Sequence, residues 1–155
     1  MAVSIRPGRR GDHARLLEVW RSAVESSHTF LDASDVDRYE PMVAGYLPQM
    51  SDLRVAVDES NEVVGFLAQD AGHIHMLFVD PAAQRRGVGT DLLEDVASQF
   101  GELRLDVNEQ NPSARAFYEA KGFREVGRSD VDGQGRPFPL LHLRRDGIEP
   151  LPPAR

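Results

Sequence analysis

Three groups of residues in this chain have types and spacings that could do chemistry. From Gln84 to Thr90 it reads Gln-Arg-Arg-Gly-Val-Gly-Thr, directly after an apolar stretch, His73 to Val79, that closes at Asp80-Pro81. Glycines at 87 and 89 remove the Cβ atoms that would keep a ligand off the backbone, so the unpaired N–H groups of a following helix's first turn can face phosphate oxygens. The helix dipole and the cations Arg85 and Arg86 favour the same anion, so the turn is suited to pyrophosphate, while two glycines before a helix are also often only a loop. A dinucleotide fingerprint would place a third glycine where Leu92 stands, and a P-loop would need Gly-Lys-Ser/Thr, so neither nucleotide motif fits.

The second group is Asn108-x-x-Asn111-x-x-Ala114-x-x-Phe117-Tyr118, running into Lys121-Gly122-Phe123. A phenol such as that of Tyr118 can donate a proton to a departing thiolate, and it can equally be a core side chain whose hydroxyl is satisfied by a neighbour. Asn111, placed before Pro112, reads as a helix cap with or without a ligand. The third group is His73 and His75, which alternate along one strand and so share a face. Imidazole can take a proton from an ammonium nucleophile, while the plainer alternative is a partly buried, hydrogen-bonded side chain. His-x-His could also supply two metal ligands, but no further ligand is assignable and no metal is expected.

These residues need elements to position them. Val3 to Arg6 reads as a strand. A helix capped by Asp12 follows, with Leu16, Val19, Trp20, Ala23 and Val24 on one face. Ser34-Asp35 offers the next cap, for a helix over Val36 to Leu47 that Pro41 should bend or split. Leu53 to Val57 and Val63 to Gln69 are strands around Asp58-Glu59-Ser60-Asn61, and His73 to Val79 is the next. The spacing predicts a helix from Gly87 to Phe100, a strand from Leu103 to Val107, and a short helix between Asn111 and Gly122. A final antiparallel hairpin, Phe123 to Val131 with Phe138 to Leu143, encloses Asp132-Gly133-Gln134-Gly135. This order gives an α+β, or α/β layered, domain around one mixed, largely antiparallel central sheet flanked by helices. The domain covers 1–145, and 146–155, rich in proline, reads as a flexible tail.

The succession of strand, Gln84-x-x-Gly87-x-Gly89, helix, strand and then Asn108 through Phe117-Tyr118 resembles the GNAT acetyltransferase family, of the bacterial stand-alone kind, over roughly residues 3 to 145. The resemblance implies acetyl-CoA as co-substrate and two splayed strands that hold its pantetheine arm like an added strand, here 73 to 79 and 103 to 107. It implies a pyrophosphate cradle of Gln84, Arg85, Arg86, Gly87, Val88, Gly89 and Thr90, backbone contacts from Leu77, Phe78 and Val79, side-chain contact from Asn111 with Asn108 and Phe117 beside it, and Tyr118 as general acid. Base function falls to His75 or His73. His28, in the segment between the first two helices, is implied as an acceptor contact, and Glu25 and Glu109 are weaker candidates for recognising a cationic amine.

Composition sets the outer limits. The chain has 155 residues, 41% hydrophobic and 28% charged, no cysteine and a net charge of −7. A chain of this length buries about 70% of its unfolded surface without crosslinks. The lack of cysteine excludes disulfides and thiolate zinc sites and suits a reducing cytoplasm. No apolar run is long enough to cross a bilayer, and the N-terminal segment lacks a signal-peptide core, so no membrane association is expected. The acidic balance disfavours nucleic acid and attracts cationic amines. The expectation is therefore an N-acetyltransferase in which a primary amine attacks acetyl-CoA directly in a ternary complex. Protein lysine, a protein N-terminus, a polyamine and a small amine stay open as acceptor, as does a homodimer. A non-catalytic acyl-CoA-binding sensor and an acetyltransferase acting on charged tRNA are the alternatives.

Overall fold

The computed structural model describes residues 3–147, so the expected tail lies, from residue 148 onward, outside the described residues. The strands are β1 (Ser4–Pro7), β2 (Asp52–Val57), β3 (Val63–Asp70), β4 (His73–Val79), β5 (Leu103–Asn108), β6 (Arg124–Ser129) and β7 (Leu140–Arg145), and the helices are α1 (His13–Ser27), α2 (Ala33–Tyr46), α3 (Val88–Ala97) and α4 (Pro112–Ala120). They build one seven-stranded sheet in the order β1-β2-β3-β4-β5-β7-β6. All neighbours are antiparallel except β4 and β5.

Helix α1 buries Leu16, Val19, Trp20, Ala23 and Val24, the stripe its 3.6-residue period dictates. With Val36 of α2 it packs on Val55, Phe66 and Ala68 from one side of the sheet. Leu92, Leu93 and Val96 of α3 and Tyr118 of α4 pack on Leu67, Leu105, Val107 and Leu141 from the other. Strand β3 is covered on both faces and is buried from Val63 to Gln69. Strand β5 alternates buried and exposed residues, because α1 and α2 do not extend over it. That half of the sheet is left uncovered on this face.

Local chemistry departs from the sequence expectations at four points. The cap of α2 is Asp32, whose carboxylate accepts Asp35 N–H while Asp35 accepts Asp32 N–H, so Ser34-Asp35 is one turn inside the helix. Asp12 does not cap α1 with its side chain; its carboxylate is held by Arg6 and by Arg9 N–H, and a 3-10 turn at Arg10–Asp12 leads into the helix. Pro41 neither splits nor ends α2, which runs to Tyr46, since packing on α1 offsets the lost hydrogen bond. Helix α3 also stops at Ala97, before Phe100.

Candidate active site

The cleft is created by a pairing failure. Strands β4 and β5 meet only at His73↔Arg104 and Ile74↔Leu105, after which they diverge. On its other edge β4 stays paired with β3 through Val79, with Ala68 opposite Met76 and Gln69 opposite Ile74, so His75 is the extra residue of a β-bulge. Beyond the bulge the β5-facing backbone of Met76 to Val79 has no strand partner among the described residues. The gap opens into a cleft of about 800 Å³ lined by Leu77, Phe78 and Val79 on one wall and Asp106, Val107 and Asn108 on the other. An extended chain with amide groups fits such an edge by completing the ladder.

At one end the cleft meets the glycine turn. Arg85 (φ 65°) and Gly87 (φ 78°) are both left-handed, a backbone that turns successive N–H groups toward one point. Gly87 is the N-cap of α3 and no side chain caps the helix, whose first internal bond of this turn is Asp91 N–H to the Gly87 carbonyl at 2.9 Å. The N–H groups of Val88, Gly89 and Thr90 therefore lack helical acceptors and face the dipole's positive end. A Cβ on Gly87 would have nothing within 4 Å, so the space beside it is open to a ligand. The turn is anchored from behind: Asp80 accepts Arg15 at 2.8 Å and Ala82 N–H at 3.0 Å. The residues fit a diphosphate.

Asn111 is buried and caps α4, its Oδ1 accepting Ala114 N–H at 3.2 Å, which leaves its amide nitrogen available to the cleft it lines. Two turns on, Tyr118 is 9% exposed, its ring edge-on to Phe117 and Phe123 at 5.2 and 5.5 Å. Burial pushes its phenol well above the ordinary value, and among the described residues its hydroxyl takes no hydrogen bond. It is a protonated donor aimed at no protein acceptor, in a wall of the cleft.

A family model described as an acetyltransferase (GNAT) domain matches residues 22–138. The chain belongs to the GNAT acetyltransferases. It is 41% identical over 143 residues to the peptidyl-lysine N-acetyltransferase YjaB of Escherichia coli K12, covering 92% of this chain and 97% of that protein. The corresponding Salmonella typhimurium protein is 38% identical over the same length, 92% of this chain and 98% of that protein. The apo solution structure of E. coli YjaB superposes with a TM-score of 0.88 at 40% identity, covering 96% of this chain and 100% of that one. As a GNAT enzyme the chain is an acetyl-CoA-dependent N-acetyltransferase.

Within this GNAT cleft the remaining candidates separate. Gln84, Arg85, Gly87, Val88, Gly89, Thr90, Asn108, Phe117, His28 and His75 line it. His73 stands behind His75, ring centroids 4.5 Å apart, and does not line the cleft; burial and His75 both lower its pKa. Arg86 is exposed and is not among the residues that line the cleft. Glu25 is not brought to the site: it lies on the exposed flank of α1, hydrogen-bonded to Arg21 at 2.8 Å. Glu109 is likewise closed by Arg128 at 2.9 Å. Two residues that sequence reasoning missed are Asp106, in the cleft wall, and His142, hydrogen-bonded to it at 2.6 Å. Neither belongs to a local motif, and only strand alternation and the β5–β7 register place them together. Among the described residues no group of three or more potential ligands could hold a metal.

His28 ends α1 with its ring in the cleft, its Nδ1 2.8 Å from Ser27 Oγ and its face against Phe30. Burial holds it down to about 4 from an ordinary 6.5, with Asn108 opposing, so it is neutral at working pH. Between those values the unfolded chain binds more protons than the native one, so this stability is intact above pH 6.5 and is lost as pH falls toward 4. Urea unfolding of H28Q should therefore lose about 2 kcal/mol less than the wild type on going from about pH 7.5 to about pH 4.5. Parallel pH dependences would show that burial does not depress the His28 pKa.

Proposed function

We propose that this chain acetylates lysine side chains of protein substrates, the neutral amine attacking the acetyl carbon directly in a ternary complex. The observation that carries the reading is near full-length kinship with proteins named peptidyl-lysine N-acetyltransferases. The uncovered half-sheet beside the cleft supports it, since a folded partner can present a side chain there without entering an enclosed pocket. Net charge of −7 favours a cationic acceptor over charged tRNA.

In this reading the pyrophosphate rests on the first turn of α3 and the arm runs along β4. An N–H of β4 polarises the thioester carbonyl. The amine nitrogen bonds to the acetyl carbon, the C–S bond breaks, and Tyr118 protonates the departing thiolate. His75, at the bulge and in the cleft wall, is the base, with His73 behind it. With no cysteine present, no thioester on the enzyme intervenes. The reaction belongs to one domain, 1–145, working in the cytoplasm.

The test is acetyl-CoA turnover with an Nα-blocked lysine peptide, a lysine-free peptide with a free N-terminus, and spermidine, with intact-mass detection of self-acetylation. The lysine peptide should exceed the others by about tenfold or more in kcat/KM. Preference for the free N-terminus or for spermidine would overturn the lysine assignment, and a burst of CoA release without acceptor would overturn direct attack.

A further inference from the structure

A row of hydrogen bonds crosses three strands on the uncovered half-sheet. Ser129 Oγ on β6 lies 2.7 Å from His142 Nε2 on β7, and His142 Nδ1 lies 2.6 Å from Asp106 Oδ1 on β5. A carboxylate can only accept, so Nδ1 carries a proton, and Nε2 shares the second hydrogen bond with the Ser129 hydroxyl. Gly127, paired with His142, makes the row possible: a Cβ there would lie 3.1 Å from the imidazole Cδ2. The set is that of a serine nucleophile site, but it runs the wrong way for one. Ser129 is on the edge strand and outside the cleft lining, whereas Asp106 is the end that lines the cleft.

Asp106 also occupies a particular place. It is the first residue of β5 after the last β4–β5 pair, Ile74↔Leu105, and so stands at the vertex of the splay, across from the His75 bulge. Its side chain is 41% exposed. Many carboxylates of this chain are closed by arginine, as Asp12, Asp35 and Glu109 are. Among the described residues Asp106 has only His142 within ion-pair distance, and that bond occupies one carboxylate oxygen.

We propose that Asp106 is the acceptor-binding carboxylate of this enzyme: its free oxygen receives the incoming ammonium at the vertex, and His142, fixed by Ser129, is the positioning residue that sets its rotamer. This deepens the acceptor reading above and rests on it. The free oxygen meets a cation without displacing an arginine, and the approach is from the face that α1 and α2 leave bare.

The experiment measures steady-state kinetics of the wild type, D106N, H142F, H142N and S129A with the Nα-blocked lysine peptide and, in parallel, spermidine. D106N and H142F should raise acceptor KM by about tenfold or more, the scale of a hydrogen bond to a charged group, with acetyl-CoA KM within about twofold. H142N, whose side-chain amide can still donate to Asp106, should recover most of the H142F loss, which a merely structural role would not allow. S129A should give a smaller increase of the same kind. Should D106N fail to fold, the H142F and H142N pair decides the matter. Wild-type acceptor KM in D106N or, failing that, in H142F overturns the proposal, as does acetyl-Ser129 with lost turnover in S129A. A wild type that takes spermidine and refuses the peptide overturns the lysine assignment alone, since the Asp106 effect is then read on spermidine KM.

Discussion

Replacing Tyr118 by Phe should lower kcat by about 100-fold or more while leaving CoA affinity within about twofold, because general acid catalysis contributes on that scale and the phenol contributes little to ground-state binding. The substitution removes one oxygen and keeps the ring that packs edge-on against Phe117 and Phe123. Among the described residues that oxygen has no hydrogen-bond partner, so its loss orphans nothing and the melting temperature should hold or rise slightly. The same burial keeps the phenol protonated well past neutrality, so it is available as a donor throughout the working range. Thiol release measured with saturating amine, alongside calorimetric titration with CoA, separates the two parameters. Wild-type turnover in the Phe variant would remove Tyr118 from the mechanism, and a parallel fall in affinity would recast it as a wall of the cleft.

Gly87→Val should weaken CoA binding by about 100-fold, with a smaller cost to the free protein. Gly87 has φ 78°, where an L side chain costs on the order of 1–2 kcal/mol, more for a β-branched one. In the free protein its Cβ would meet nothing within 4 Å, so that strain is the main stability term. With CoA present the added isopropyl group stands in the open space beside the N–H groups of Val88 to Thr90, and loss of the charge-assisted bonds made there multiplies the effect. Titration with CoA and with pantetheine, which lacks the diphosphate, checks the cause: only CoA should weaken. Equal losses for both ligands would mean that the turn supports the arm rather than the phosphates.

The α2 cap shows what a sequence conceals at close range. Asp32, Ser34 and Asp35 are all good N-cap types within four positions, and which of them starts the helix depends on where Val36 must land on the core below it. Pro41 is a related case. Its missing N–H argues for a break, yet α2 is held by its packing on α1, which no local rule registers. Glu25 looked suitable for an amine on charge alone, but helical spacing places Arg21 one turn away and the two neutralise each other on the surface.

What the sequence determined by itself were features with short-range causes. The glycine turn needs backbone freedom and an exposed helix start within seven consecutive residues, Gln84 to Thr90. The strand and helix succession follows from apolar periods of two and 3.6, and the Asn111 to Tyr118 spacing spans two turns of one helix. The tertiary structure decided where strands stop pairing and which polar side chains then meet. The β4–β5 splay, the His75 bulge, the depressed pKa of His28 and the Ser129–His142–Asp106 row depend on contacts between residues far apart in the chain. Hydrogen-bond register and desolvation are properties of assembled strands, and they acquire a value only once the sheet has closed.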